Sequence, residues 1–415
     1  MMMSRVPIGG KDATVPQKIL PYGRQAIDEA DIAAVVEVLR SDCLTSGPKV
    51  DEFERCFAVR VGARHAVAVN SGTSALHLAL RATGVGTGNR VITSPNTFLA
   101  SANCAAFVGA IPDFTDIDPV SYNLDPAALK QGWRPDTKAV VAVDYAGQPC
   151  DMPAIARTAR ERGAILIEDA CHGVGGGFAN EGRIWKLGGH PWADITVFSF
   201  HPVKTMTTGE GGMLVTDNDA WAEQARRLRS HGVVRKGFAG LGADEVPAFA
   251  ERGPWYYEMQ DLGYNYRITD IQCALGLSQL ARLDTFIRRR REIVARYNEA
   301  FAEIAPITIP GLRNPASRDH ISWHLYAVQI DFEAIGKTRT QVMVDLRERG
   351  IGTQVHYIPV HFQPYYRNKY GYTPGKCPVA EAYYQRCLSL PLYPSMTNAD
   401  VEQVIEAVRL ALTAS

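Results

Sequence analysis

Short apolar runs alternate with amphipathic stretches along the first two thirds of the chain. The stretch HAVAVNSGTSALHLALRATG at 65–84 changes from strand alternation to helical periodicity at NSGTS. The stretches at 91–110 and 138–155 repeat the order of strand, loop and helix. A succession of such units predicts a mostly parallel sheet that carries helices on both faces, joined by right-handed crossovers. The predicted fold class is therefore α/β.

The two ends of the chain follow other patterns. Residues 1–16 are punctuated by Gly and Pro without periodicity, which predicts a flexible tail. Next, Ile32, Val35, Val36 and Leu39 recur at helical spacing and predict an amphipathic helix. From about residue 305 an alternating strand, a helix closed by a glycine and a further strand predict a smaller α+β part. We therefore expect a tail at 1–16, a large domain at 17–286 and a small domain at 287–415.

The composition excludes several classes of partner. The 415 residues are 46% hydrophobic, enough for a large core, and the 44 basic and 44 acidic residues give no net charge. No basic block favours nucleic acid or an anionic membrane, and no segment approaches the ~20 uninterrupted apolar residues of a membrane helix. The eight cysteines are scattered, as in reduced cytosolic proteins, and His356 and His361 have no further ligand at metal spacing. We expect a cytoplasmic enzyme without a metal site.

Two stretches carry the candidate chemistry: EDACHGVGGG at 168–177 and FSFHPVKTMTTGEGGML at 198–214. Asp169 follows an apolar run at 164–167 that predicts a buried parallel strand, and open α/β sheets bind ligands beyond the carboxyl ends of such strands. Lys204 follows a second predicted strand at 195–200. An acid that keeps a pyridine nitrogen protonated and a lysine that condenses with an aldehyde are what pyridoxal phosphate requires. The pair therefore predicts a site for this cofactor.

Each of these residues also has a simpler interpretation. Asp169 could cap a helix, and Lys204 could lie on the surface. His172 could be a loop or core histidine with its hydrogen bonds satisfied, and Ser199 could be an ordinary polar residue of a strand. The NSGTS segment at 70–74 predicts either an anion site or a plain helix cap. The order in which the residues follow one another favours the cofactor site.

These motifs resemble the sugar aminotransferases of the DegT/DnrJ/EryC1/StrS family, from about Leu20 to the C-terminus. The resemblance implies a fold type I enzyme dependent on pyridoxal 5′-phosphate, with a large mostly parallel sheet domain and a smaller α+β C-terminal domain. Relatives that dehydrate sugars carry histidine at the position of Lys204. The lysine therefore implies transamination.

The resemblance also assigns roles to individual residues. From the residues alone, Phe98 could be core, the 42–45 loop a connector, and the GYNYR segment at 263–267 a packed aromatic loop. The implied catalytic residues are Lys204, Asp169 and His172; the implied cofactor-binding residues are Gly72, Thr73, Phe98, Asp169, Ser199, Lys204 and, from a neighbouring subunit, Asn265; the implied substrate-binding residues are Tyr22, Asp42, Cys43, Leu44, Thr45, Gln354, Val355, His356 and Tyr357.

The reaction that the resemblance implies is the transfer of an amino group from L-glutamate to a keto-sugar carried on a nucleotide, by a homodimer with shared active sites. The motif sequences are most similar to those of family members that aminate C4 of UDP-2-acetamido-2,6-dideoxy-β-L-arabino-hex-4-ulose, on the route to pseudaminic acid. Two alternatives stay open: another nucleotide-sugar 3- or 4-aminotransferase, and a non-catalytic protein of this fold that binds a nucleotide-sugar.

Overall fold

A computed structural model of the chain describes residues 19–240 and 253–413. The predicted flexible tail at 1–16 lies outside the described residues. In chain order the strands are β1 His65–Val69, β2 Arg90–Thr93, β3 Ile111–Phe114, β4 Thr137–Val143, β5 Ile165–Asp169, β6 Gly177–Asn180, β7 Arg183–Lys186, β8 Ile195–Ser199, β9 Gly212–Thr216, β10 Val233–Val234, β11 Glu258–Met259, β12 Ile307–Thr308, β13 Tyr326–Ile330 and β14 Cys387–Leu390.

A seven-stranded sheet organises the first part of the chain. Its strand order is β1-β9-β8-β5-β4-β2-β3, and β9 runs antiparallel to both of its neighbours while the other pairings are parallel. This confirms the predicted mostly parallel sheet. The parallel strands β4, β5 and β8 lie side by side, so their carboxyl ends meet at one edge of the sheet.

Helices cover both faces of this sheet. Successive residues of a strand point to opposite faces, and Val140 and Val141 of β4 accordingly belong to two different hydrophobic clusters. The helices that surround the sheet are α1 Glu29–Leu39, α2 Pro48–Val61, α3 Gly72–Ala82, α4 Ala100–Phe107, α5 Pro126–Gln131, α6 Met152–Glu161, α7 Asp219–Arg229 and α8 Asp270–Ala281. Burial on both faces explains why the strands read as nearly continuous apolar runs.

A second, smaller part is built on the antiparallel sheet β12-β13-β14. Its helices are α10 Arg339–Glu348, α11 Pro364–Tyr370, α12 Pro378–Arg386 and α13 Asn398–Thr413, and it has a hydrophobic cluster of its own. Helix α9, Leu283–Phe301, contributes Ile293 and Phe301 to that cluster. The domain boundary predicted between residues 286 and 287 falls inside this helix and stays a prediction.

Helix α1 forms where the sequence predicted it but buries a different face. Ile32 and Leu39 are 47% and 54% exposed, whereas Asp31 is fully buried. Asp31 accepts a hydrogen bond of 2.6 Å from Gln279 of α8 and pairs with Arg282. Polar contacts therefore dock α1 on α8 and leave Ile32 and Leu39 exposed, while Val35 and Val36 of the predicted stripe are half-buried. Among the described residues, no helix has the length and apolarity needed to span a membrane.

Candidate active site

A cavity of about 880 Å³ opens at the carboxyl ends of β5 and β8. Asp169 is the last residue of β5, and Lys204 lies in the loop that follows β8. Both line this cavity, together with residues of α3 and of the smaller part of the chain. The parallel arrangement of the two strands brings the predicted acid and amine to one place.

Asp169 is held in a polar setting. Its side chain is buried, at 4% exposure, and its Oδ2 accepts a hydrogen bond of 2.7 Å from the Ser101 hydroxyl. Oδ1 accepts a bond of 3.2 Å from the backbone N–H of Cys171. The next regular element along the chain is the strand β6, so Asp169 caps no helix. Two donors on the two oxygens suit a carboxylate anion that faces a cavity.

Lys204 is carried by the loop between the antiparallel strands β8 and β9. Backbone hydrogen bonds from Thr208 to Phe200 and from Phe200 to Gly211 close the loop at its base. Burial lowers the pKa of the Lys204 amine, while Cys171 and Asp169 partly offset this effect. An amine with a lowered pKa is a better proton acceptor near neutral pH, as proton transfer at a substrate carbon requires.

The first turn of α3 supplies an anion site beside the lysine. Ser71 caps the helix by accepting a bond of 3.1 Å from the Ser74 N–H, while Thr73 lines the cavity. A Cβ atom on Gly72 would lie 2.9 Å from Ser199 Cβ and 3.2 Å from Cys171 Sγ. Only glycine therefore lets the backbone approach so closely. The positive end of the helix dipole and the hydroxyls of Thr73 and Ser199 suit a phosphate group.

An aromatic side chain forms another wall. Phe98 precedes α4, lines the cavity and is 58% exposed, so it is not the core residue that its sequence context alone favoured. Its ring lies 6.4 Å from that of Tyr357.

Histidines enclose the far side of the cavity. The Nδ1 atom of His172 accepts a bond of 3.2 Å from the backbone N–H of Ala146, and its Nε2 lies 3.2 Å from the Tyr357 hydroxyl. Neither of these two bonds goes to Asp169. His356 bonds to the Ser389 hydroxyl at 2.8 Å, and burial, with Lys204 nearby, lowers its pKa to about 3.

The structure brings most of the predicted residues together. Those that line the cavity are Tyr22, Gly72, Thr73, Phe98, Asp169, His172, Ser199, Lys204, Gln354, Val355, His356 and Tyr357. Asn265 and the loop residues Asp42, Cys43, Leu44 and Thr45 are exposed and do not line it. That loop and the segment of Asn265 are neighbours, since the Asp270 N–H donates to the Leu44 carbonyl at 3.0 Å and Thr45 bridges to Thr269.

Sequence reasoning missed several residues of the site. Ser101 supports Asp169, and His324, which lines the cavity, lies with its ring 4.5 Å from that of His172. The signal for Ser101 was a small polar residue in the first turn of a helix that is otherwise apolar except for Asn103. For His324 the sequence offered only a polar residue just ahead of an alternating strand.

Comparison with known proteins agrees with this geometry. The model of the DegT/DnrJ/EryC1/StrS aminotransferase family matches residues 25–409. The chain belongs to this family. The aminotransferase is 46% identical over 393 residues to the spore coat polysaccharide biosynthesis protein SpsC of Bacillus subtilis (strain 168), covering 94% of this chain and 96% of that one.

Solved structures give the same result for the fold. The aminotransferase superposes on Helicobacter pylori PseC, an aminotransferase involved in the biosynthesis of pseudoaminic acid, with a TM-score of 0.84 at 29% identity, covering 96% of this chain and 100% of that one. The PLP form of the putative sugar aminotransferase Spr1654 from Streptococcus pneumoniae gives 0.83 at 29% identity, covering 95% and 100%. The fold type I prediction is confirmed, and pyridoxal phosphate is the cofactor.

The residues present fit that cofactor. Asp169 would hold the pyridine nitrogen, Lys204 the aldehyde carbon, and the first turn of α3 with Ser199 the phosphate. When bound, the cofactor supplies an electron sink for the carbon that gains or loses the amino group. A Cβ on Gly72 would meet Ser199 and Cys171, so glycine is the feature of this chain that lets the first turn of α3 lie directly against the Ser199 hydroxyl.

Proposed function

We propose that this aminotransferase transfers an amino group from L-glutamate to a nucleotide-linked 4-keto-6-deoxy sugar. The observation that carries the proposal is the meeting of Asp169, Lys204 and the first turn of α3 in one cavity of about 880 Å³. A non-catalytic binding protein would not need a buried acid and a lysine whose pKa is lowered at the same place.

Lys204 transfers the protons in this proposal. Its amine accepts a proton from the donor's α-carbon in one half-reaction and returns a proton to the sugar carbon in the other. Asp169 keeps its charge against the ring nitrogen with the support of Ser101. His172 forms part of the wall opposite.

As the substrate we propose UDP-2-acetamido-2,6-dideoxy-β-L-arabino-hex-4-ulose, which would yield UDP-4-amino-4,6-dideoxy-N-acetyl-β-L-altrosamine. The motif sequences and the structural similarity to PseC, a protein of pseudoaminic acid biosynthesis, support this choice. The 46% identity to SpsC, named for spore coat polysaccharide biosynthesis, favours a second candidate, another nucleotide-sugar 3- or 4-aminotransferase.

We also propose that the working unit is a homodimer. Asn265 and the 42–45 loop, which the family resemblance places at a substrate or cofactor site, lie on an exposed face of this chain and not in its own cavity. The exposed residues Ile32 and Leu39 give α1 an apolar surface that a second copy would bury. On this proposal each chain completes the site of the other.

Mass spectrometry of reaction products tests the function. Purified enzyme is incubated with L-glutamate and a panel of UDP-, dTDP- and GDP-linked keto-sugars, with Lys204→Ala as the control. We expect the mass of one nucleotide-sugar to change by the amount that corresponds to replacing its keto oxygen with an amino group and a hydrogen. The Lys204→Ala variant should give no such product. An enzyme loaded with cofactor that aminates no member of the panel would contradict the proposal.

A further inference from the structure

A tight turn joins the two parts of the chain at the wall of the cavity. It comprises Tyr145–Gly147, directly after β4, and Ala146 adopts φ 58 and ψ 6, in the left-handed region. A Cβ on Gly147 would lie 1.9 Å from the Ser322 carbonyl oxygen, so this approach requires glycine. The Ala146 carbonyl accepts the His324 N–H at 2.9 Å. These contacts fix the direction in which the Ala146 amide points.

That amide determines which nitrogen of His172 carries the proton. A backbone N–H can only donate, so the Nδ1 atom that receives it at 3.2 Å must be unprotonated. Burial, with Lys204 and then His356 nearby, lowers the pKa of His172 well below its usual range. The ring is therefore neutral near pH 7, and its single proton is on Nε2.

The Nε2–H group in turn sets the direction of the Tyr357 hydroxyl. It donates to the hydroxyl oxygen at 3.2 Å, so the hydroxyl proton cannot point back at His172. Within the described parts of the chain the Tyr357 hydroxyl has no other hydrogen-bond partner, and burial raises its pKa, which keeps it protonated. Its ring lines the same cavity as Lys204. The free proton is available to a ligand in that cavity.

We propose that the Ala146 amide holds His172 as the Nε2–H tautomer, and that this tautomer makes the Tyr357 hydroxyl a hydrogen-bond donor to an oxygen of the substrate bound beside Lys204. The proposal rests on the proposed transamination. The acceptor is an oxygen of either the sugar or the donor's carboxylate. Tyr357 is then a substrate contact, and His172 and Ala146 are positioning residues.

The tautomer is tested directly by ¹⁵N NMR of the holoenzyme labelled in its histidines, with the His172 resonances assigned by their loss in His172→Gln. We expect proton attachment at Nε2 alone and no change of protonation between pH 6 and 8. A proton on Nδ1, or a titration within that range, would overturn the proposal whatever the activity of the enzyme.

The substrate contact is tested by measuring the two half-reactions of Tyr357→Phe separately. Loss of a bond to a neutral oxygen predicts a fall of roughly 2- to 10-fold in kcat/KM, and loss of a bond to a carboxylate about 10- to 100-fold. A fall confined to the nucleotide-sugar half-reaction assigns the acceptor to the sugar, and one confined to glutamate assigns it to the donor. The exposed Tyr365→Phe, which removes a hydroxyl that accepts a bond from Lys369 at the surface, should leave both rates unchanged.

The positioning role is tested by His172→Gln and His172→Leu. The glutamine amide can still donate to Tyr357, whereas leucine cannot, so the glutamine variant should retain more activity. In the Tyr357→Phe background this difference should vanish, because the two residues act through one bond. If the glutamine and leucine variants differed in activity by the same factor in both backgrounds, the coupling would be overturned. A wild-type enzyme that converts neither substrate refutes the proposed function; an active wild type with an unaffected Tyr357→Phe refutes this inference alone.

Discussion

We expect Asn265→Ala to weaken retention of the cofactor without weakening the fold. The side chain is exposed, and among the described residues it has no hydrogen-bond partner; only its backbone carbonyl receives a bond, of 3.4 Å, from Asn70. A surface substitution of this kind changes the free energy of unfolding by no more than about 0.5 kcal/mol. Any larger effect must come from a ligand or a second chain.

The size of the effect follows from the other groups around the phosphate. Gly72, Thr73 and Ser199 of the same cavity remain in place, so the loss is partial. A hydrogen bond to a charged group is worth roughly 1.5 to 3 kcal/mol, which corresponds to about one to two decades in cofactor affinity. Apo enzyme titrated with pyridoxal phosphate measures this difference.

Mixed dimers locate the site that Asn265 serves. Chains carrying Lys204→Ala are mixed with chains carrying Asn265→Ala, and activity is measured at saturating substrate after dialysis without added cofactor. If Asn265 acts across a two-fold interface, the heterodimer has one site with both lesions and one intact site. Activity should then partly return.

The control uses Asn368, an exposed asparagine of α11 whose side chain has no hydrogen-bond partner among the described residues. Asn368→Ala alone should hold the cofactor as the wild type does. No recovery in the Asn265 mixture, after mass spectrometry has verified subunit exchange, would place Asn265 in the site of its own chain. That result would remove the main support for an obligate dimer.

Four further outcomes are expected. Lys204→Ala should lose the visible absorption band of the holoenzyme, and borohydride reduction of the wild type should mark the peptide of Lys204; a mark on another lysine contradicts the site. Asp169→Asn should stay folded but lose nearly all turnover, and near-normal rates with cofactor bound would contradict its role. Ser101→Ala removes a bond of 2.7 Å to Asp169 and should lower kcat about 10- to 100-fold in single-turnover assays; an unchanged kcat would show that the acid needs no support. Burial and Arg81 lower the pKa of His77 to about 4, below the ~6.5 of a histidine in an unfolded chain. Because the unfolded state then binds more protons, the free energy of unfolding falls as the pH drops from about 6.5 to 4. In His77→Phe the free energy of unfolding, measured with urea, should fall less over that pH range than in the wild type. An equal fall would refute this.

The sequence by itself determined the βα order of the large sheet and the identity of the central chemical groups. Burial on both faces forces apolar strands, and parallel strands present their carboxyl ends at one edge. An acid at the end of one parallel strand and a lysine after the next were therefore predictable as neighbours once the sheet was predicted. The residue types that pyridoxal phosphate requires then restricted the chemistry.

Only the tertiary structure decided how those groups are supported. Ser101 and Asp169 are 68 residues apart, and His172 and Tyr357 are 185 apart, and neither spacing has a local pattern. The exposed side of α1 was unpredictable for the same reason, because its docking depends on the distant Gln279 of α8 and on Arg282, which directly follows that helix. The packing of whole helices and strands determines which hydrogen-bond partners meet in a folded core. The periodicity of the sequence does not predict those partners, because it reflects only which face of each element is buried.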